Sequence, residues 1–355
     1  MSVAVAFLSG GRLHVKEGDE PPRAFDSRFG KSVRDRAVRS AQKNAWKTTT
    51  GTGASSGFLD GAAPGQPSDP LVLRIAITGV SRAAEPGVLL YALATDDFVG
   101  LFRLDPATGD ERRLFHSNDR RLRFPSGRPG VDEVVCSVLA DGGTANLALM
   151  NADGSDLREI TEGESLDLAP SWAPERRQIA YQTAGLGRDH DGRIAGMSPF
   201  SAQLLDLETG EIAPLLEDAR FDFLAPRVGR DGAVYAIRRP HEDGPRGSPW
   251  RAVADAALFP FRMVSAVVGF LAEKTGPAGP KGAEAPARVP SSWKLVRRRP
   301  GADVEELAPG VVGFDLGDDG SVVLTDGSVI DHLTPDGARR RLWRGELIEQ
   351  VVSLS

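Results

Sequence analysis

A recurring pattern of short strands and tight turns constrains this chain more than any other feature. Its clearest copy runs from Leu147 through Met150-Asn151-Ala152-Asp153-Gly154 to Leu157-Arg158-Glu159-Ile160-Thr161. It continues through Ala169-Pro170-Ser171-Trp172-Ala173-Pro174 to Gln178-Ile179-Ala180-Tyr181. Physically this is a strand, a tight turn, a strand, a crossing loop and another strand. Asn and Asp side chains cap the turn, and Gly supplies the positive φ that joins two antiparallel strands. Weaker copies of the turn are Asp105-Pro106-Ala107-Thr108-Gly109, Asp206-Leu207-Glu208-Thr209-Gly210, Pro300-Gly301-Ala302-Asp303 and Thr334-Pro335-Asp336-Gly337. Inner hairpins recur over Phe124-Pro125 to Cys136, Ala169-Pro170 to Tyr181, Ala225-Pro226 to Tyr235 and Gly313-Phe314 to Leu324. Leu73–Ile77 and Val88–Leu93 read as a further inner pair. Such self-similarity is the mark of a repeat architecture.

This unit resembles the TolB-like (WD40-like) propeller repeat. There, a strand ending in Met-Asn-x-Asp-Gly is followed by Leu-Thr and then by Pro-x-Trp-Ser-Pro-Asp-Gly. Ala173-Pro174-Glu175-Arg176 stands here in place of Ser-Pro-Asp-Gly, so that hairpin turn must be built differently. The resemblance covers the repeats alone and implies an all-β propeller fold. It does not carry a function, because one fold hosts many.

Counting the landmarks gives five complete units, at 71–116, 121–162, 166–217, 221–308 and 310–346. A last strand, Leu347–Leu354, and three N-terminal strands, Val3–Ser9, Arg12–Lys16 and Pro22–Phe25, remain. Together they make one composite blade, and the expectation is a six-bladed β-propeller with N/C-terminal strand (velcro) closure, seven blades being the alternative. Closure hides strand edges that would otherwise invite aggregation. The whole chain, 1–355, then forms a single domain.

Three insertions break the spacing: 27–70, 184–200 and 240–291. Each falls at a second-to-third-strand or blade-to-blade connection. In an antiparallel blade both kinds emerge at one end, so helical insertions on one face are expected. Loops on a rigid scaffold are where binding usually resides. In the first insertion, Val33, Ala37, Val38, Ala41 and Ala45 recur at helical spacing over Lys31–Lys47, with Arg34, Arg36, Arg39, Lys43 and Trp46 as candidate partner contacts. The Gly51–Gly57 run lacks the Gly-Lys-Ser/Thr ending of a phosphate loop. The second insertion, a loop, carries Asp189-His190-Asp191, whose adjacent side chains point apart. In the third, Trp250–Ala272 is mainly apolar, and Trp250, Phe259, Phe261, Met263 and Phe270 are further candidate contacts. Asp255, Pro260 and Arg262 argue against a bilayer span there. Gly276–Pro290 reads as a Pro/Gly/Ala tether.

Composition narrows the function classes. A net charge of −6 gives no global reason to expect nucleic acid. The one cysteine, Cys136, lies in a β-rich run and reads as a buried thiol; no intrachain disulfide can form. The N-terminal Met1–Leu8 lacks the basic region of a signal peptide, so cytoplasmic residence is expected. No Gly-x-Ser-x-Gly elbow occurs, and His116, His241 and His332 lack a recognisable metal-ligand spacing. No catalytic residue, cofactor or metal is therefore assigned. The expected function is a non-enzymatic scaffold that binds a protein partner through the inserted face. One alternative is a small-ligand or metal-dependent enzyme using the axial channel. Another is membrane-surface or nucleic-acid association through 250–272 or 31–47.

Overall fold

The computed structural model describes residues 3–49, 75–95, 98–241 and 289–354. The chain begins with β1 (Ala4–Ser9), β2 (Arg12–Glu17), β3 (Arg23–Phe25) and helix α1 (Arg28–Thr49). A second sheet holds β4 (Ala76–Arg82), β5 (Leu89–Ala94), β6 (Val99–Asp105) and β7 (Asp110–Ser117). The third holds β8 (Arg121–Gly127), β9 (Glu133–Leu139), β10 (Ala145–Asn151) and the two-residue β11 (Arg158–Glu159). The fourth comprises β12 (Ser165–Trp172), β13 (Gln178–Arg188), β14 (Ile194–Met197), β15 (Ser201–Asp206) and β16 (Ile212–Leu216). A single parallel bridge, Ala145 to Leu166, joins third and fourth into one continuous sheet. The fifth has β17 (Phe221–Val228), β18 (Val234–Pro240), β19 (Lys294–Arg298) and β20 (Val304–Pro309). The sixth has β21 (Gly313–Leu316), β22 (Val322–Thr325), β23 (Val329–Leu333) and β24 (Arg339–Arg344). The last strand, β25 (Ile348–Ser353), returns to pair antiparallel with β1, which gives the first sheet the order β25-β1-β2-β3.

Local chemistry accounts for the turns. Asp105 accepts from the Ala107 N–H at 2.9 Å, and Asp206 from the Glu208 N–H at 2.8 Å, closing the β6–β7 and β15–β16 hairpins alike. At Gly154 (φ 88°) a Cβ would lie 2.2 Å from the Leu114 carbonyl oxygen, so the turn after β10 can press on the second sheet only without a side chain. The Ala173–Arg176 turn works without glycine. Glu175 takes a left-handed φ of 64°, at a cost of roughly 1 kcal/mol, while Ala173 N–H reaches the Gln178 carbonyl at 2.9 Å.

The innermost strand of the second sheet, Ala76–Arg82, overlaps the expected Leu73–Ile77 at Ala76 and Ile77 and runs further to Arg82, while Leu73 and Arg74 lie outside the described residues. Its pairing with β5 shifts between Ile77 and Gly79, then continues to Arg82 opposite Leu89. The 184–200 insertion is also not a plain loop: β13 extends to Arg188 and pairs with β14, with His190 at the exposed tip.

The core lies between neighbouring sheets. Leu8, Leu13, Tyr91 and Phe102 join the first to the second, and Leu90, Leu122, Cys136 and Met150 the second to the third. Val135, Leu147, Trp172 and Ile179 pack third on fourth, and Ala202, Phe223 and Val296 fourth on fifth. Leu224, Ile237 and Phe314 belong to a cluster joining fifth and sixth, and Phe7, Val323 and Val351 bring the sixth back to the first. Each fully buried Leu or Phe contributes roughly 1.5–3 kcal/mol. The sheets therefore hold one another in a ring, and no pair of them carries a separable core.

Candidate functional site

Two features stand out: the end of the ring that receives the long connections, and the cavity along its axis. Strand direction alternates within each sheet, so second-to-third-strand and sheet-to-sheet connections leave at one end. The β3–β4, β13–β15 and β18–β19 connections all belong to that set.

Helix α1 is seated there through its first turn. Ser27 precedes it, and its hydroxyl accepts from Gly30 N–H at 3.1 Å and from Tyr91 Oη–H at 3.0 Å. The Glu111 carboxylate, on an outer strand of the second sheet, accepts from Arg28 N–H at 2.9 Å and Phe29 N–H at 3.1 Å. Those are donors a helix start leaves without intrahelical partners. Burial raises the Tyr91 pKa, which keeps its phenol protonated as a donor. Phe29 packs against Phe98 and Phe102 at ring-centroid distances of 5.3 Å.

Beyond this first turn the helix leaves the sheet. Val38, whose spacing suggested a packed face, is 50% exposed, because only the first turn lies over the second sheet. Arg34, Arg36 and Arg39 are exposed along the same stretch. Lys43 and Trp46 lie on α1, but their side chains are outside the described residues, as are Trp250, Phe259, Phe261, Met263 and Phe270 entirely. A groove of about 310 Å³ separates the β1–β2 turn from α1, with Arg12, Lys31 and Arg34 beside Asp26 and Asp35 on its walls.

A cluster not legible in the sequence stands where the third insertion leaves β18. Asp222, 2% exposed, accepts from Phe200 N–H at 3.0 Å and Arg239 Nε–H at 2.9 Å, and lies 2.8 Å from His241 Nδ1. The Arg239 guanidinium stacks over Trp293 at 5.0 Å. His241 is thus held by a carboxylate, and no group of three or more metal-ligating side chains occurs among the described residues. No described helix is long and apolar enough to cross a membrane. Cys136 is buried, and burial pushes its thiol pKa up.

The axial cavity, about 360 Å³, is lined by the innermost strand of every sheet: β25, β4, β8, β12, β17 and β21. Three of these strands share one device. Phe124, Ala169 and Ala225 each take φ near +50° immediately before a proline, and the pairing with the next strand slips at each. The bulge removes Pro125, Pro170 and Pro226 from ladders in which they could donate nothing. Side chains then tie neighbouring sheets across the bulges. Trp172 Nε1–H donates to the Ser126 carbonyl at 3.0 Å, Ser171 Oγ–H to the Pro226 carbonyl at 2.8 Å, and Ala225 N–H to Gln182 Oε1 at 2.7 Å.

No protein-family model matches the sequence. Over 157 residues the chain is 30% identical to an anhydro-N-acetylmuramic acid kinase from Burkholderia vietnamiensis, a match covering 43% of this chain and 36% of that protein. Among solved structures, TolB from Acinetobacter baumannii superimposes with a TM-score of 0.54 at 11% identity, over 99% of this chain and 66% of that one. A chain of the nidogen/laminin complex gives 0.55 at 7% identity, over 99% and 98% respectively. The chain thus spans just under two thirds of the TolB structure and about a third of the kinase. At these identities the structural matches speak for architecture, and they agree with the sheet ring built above. In fold, this chain is a TolB-like β-propeller.

Proposed function

We propose that this protein is a non-enzymatic interaction scaffold that engages an acidic protein partner through the end of the ring carrying α1. The observation that supports this most is uncompensated charge. Arg28, Lys31, Arg34, Arg36 and Arg39 share the described part of α1 with one acid, Asp35, and form no ion pair with any described residue. Several arginines of the sheets are matched by acids, among them Arg128 and Arg177 with Glu133, Arg239 with Asp222, and Arg297 with Glu305. A cationic strip on a helix anchored at its first turn attracts an acidic surface and steers its approach. The ring itself supplies an immobile platform, and the same fold occurs in the nidogen/laminin complex. The β18–β19 connection leaves from the same end and carries the mainly apolar Trp250–Ala272 sequence as a second candidate contact, and we place the protein's action in the cytoplasm.

The test is cross-linking and affinity purification of the tagged full chain from its native host. Wild type is compared with Arg34→Glu/Arg36→Glu/Arg39→Glu and with a deletion of 242–288. A stoichiometric acidic partner, released by about 0.5 M salt and lost from the charge-reversed variant, is the expected result. A variant that still recovers the partner at wild-type yield would overturn the reading.

A further inference from the structure

We propose that the axial cavity binds a small organic monoanion with an apolar body, its carboxylate held by Arg82 and Arg227. The site does not depend on the interaction surface. Arg82 ends β4 near the β4–β5 connection, at the opposite end of the ring from α1.

Its volume, about 360 Å³, falls within the range of small-molecule pockets. Phe124, Trp172 and Phe314 supply apolar wall, while Arg82 and Arg227 reach it from the second and fifth sheets. Ion pairing at this end is incomplete. Arg82 pairs with Asp318 at 2.8 Å, but Arg227 lies 3.6 Å from Asp315, and Arg230 lies 3.9 Å from the same Asp318. At this end Arg82 and Arg230 share Asp318, while within the lining Arg82 and Arg227 stand with Asp315 and Glu349; Asp315 also accepts the Ser353 N–H at 3.0 Å.

Burial lowers the Arg227 pKa; Asp315 opposes this, and nearby Arg82 lowers it further. A guanidinium held near a second one in a sheltered site gains from an anion that Asp315 does not fully replace. Glu349 lines the same cavity from β25 and disfavours a dianion. The Xaa-Pro bulges fix the walls before any ligand arrives, which lowers the ordering cost of binding.

The test is calorimetric titration of the full-length protein with benzoate, with benzylamine and benzyl alcohol as cationic and neutral counterparts and phenyl phosphate as the dianion. Benzoate is expected to bind one site per chain, at least tenfold more tightly than the other three. Arg227→Gln is expected to weaken it at least tenfold and Arg227→Lys to restore most of the loss. Ser126→Leu, which fills the cavity and leaves both arginines in place, should abolish it. Absence of benzoate binding, equal binding of benzylamine, or undiminished binding by Arg227→Gln would each overturn the proposal. Should Arg227→Gln fail to fold by circular dichroism, Ser126→Leu and the benzoate–benzylamine comparison on wild type decide it.

Discussion

Gln350 and Val80 exchange two hydrogen bonds across the junction between the first and second sheets. Val80 N–H donates to Gln350 Oε1 at 3.1 Å, and Gln350 Nε2–H donates back to the Val80 carbonyl at 2.7 Å. The amide side chain stands in for a strand backbone and couples β25 to β4, which have no ladder between them. Replacing it by alanine leaves both Val80 groups without a protein partner. Gln350→Ala should therefore cost roughly 2 kcal/mol, read as a lower urea midpoint with an unchanged slope. An unchanged midpoint would mean that water in the axial cavity satisfies Val80 as well as the amide does.

Glu111 controls how firmly α1 is attached. Glu111→Ala removes the acceptor for Arg28 and Phe29 N–H and a hydrogen bond to the Ser27 hydroxyl. The expected loss is about 1 kcal/mol, concentrated locally. Hydrogen exchange over residues 28–36 should accelerate while the β4–β5 amides keep their protection. Uniform acceleration would instead show that helix and sheet open together.

Asp222 gathers a backbone N–H, Arg239 and His241 in a site almost closed to water. Asp222→Asn keeps the shape but leaves Arg239 without its counter-charge, at a cost of roughly 3–5 kcal/mol. The double variant Asp222→Asn/Arg239→Met should recover part of that loss in urea denaturation. No recovery would place the contribution in the Phe200 N–H contact.

These three residues show what could and could not be read from the sequence. The capped turns at Asp105, Asp206 and Gly154 were legible because each is a local bargain between a side chain and its own backbone. So was the alternation of strands, and with it the fold class. Glu111 and Asp222 were not, because their partners lie 82 and 17 residues or more away and are chosen by how the sheets meet. The Ala169-Pro170 pair was read as the start of an inner hairpin, yet the residue before a proline is expected to be extended. Its left-handed φ belongs to the bulge that takes Pro170 out of the ladder. Of the candidate contacts, Arg34, Arg36 and Arg39 lie exposed on a helix. In its apolar stripe Val33 is half-buried and Val38 exposed, because helical spacing does not say where the underlying sheet stops; the side chains of Ala37, Ala41 and Ala45 lie outside the described residues.

Glu133 makes an acid-sensitive link. Its hydrogen bond to Arg177 is the main cause holding its carboxyl below the ordinary glutamate value; burial opposes this, and Arg128 adds to the lowering. A depressed folded pKa contributes stability that is complete above the unfolded value of about 4.3. That contribution is lost as pH falls through the lower folded value. Denaturation midpoints of wild type and Glu133→Gln should therefore differ at neutral pH and converge below pH ~4. A gap that persists into acid would assign the effect to packing.

The three Xaa-Pro bulges fall on consecutive sheets, the third, fourth and fifth, while Asp315, Gln350 and Arg82 come from the sixth, first and second. The ring repeats sixfold in its strands but not in its lining. The Xaa-Pro bulges are confined to one semicircle, where Arg227 is the charged group, whereas the other presents Arg82, Asp315, Glu349 and Gln350. A molecule entering the axis meets unlike walls and has one preferred way round, so the cavity is asymmetric across its width. That handedness comes from covalent geometry, without a moving part.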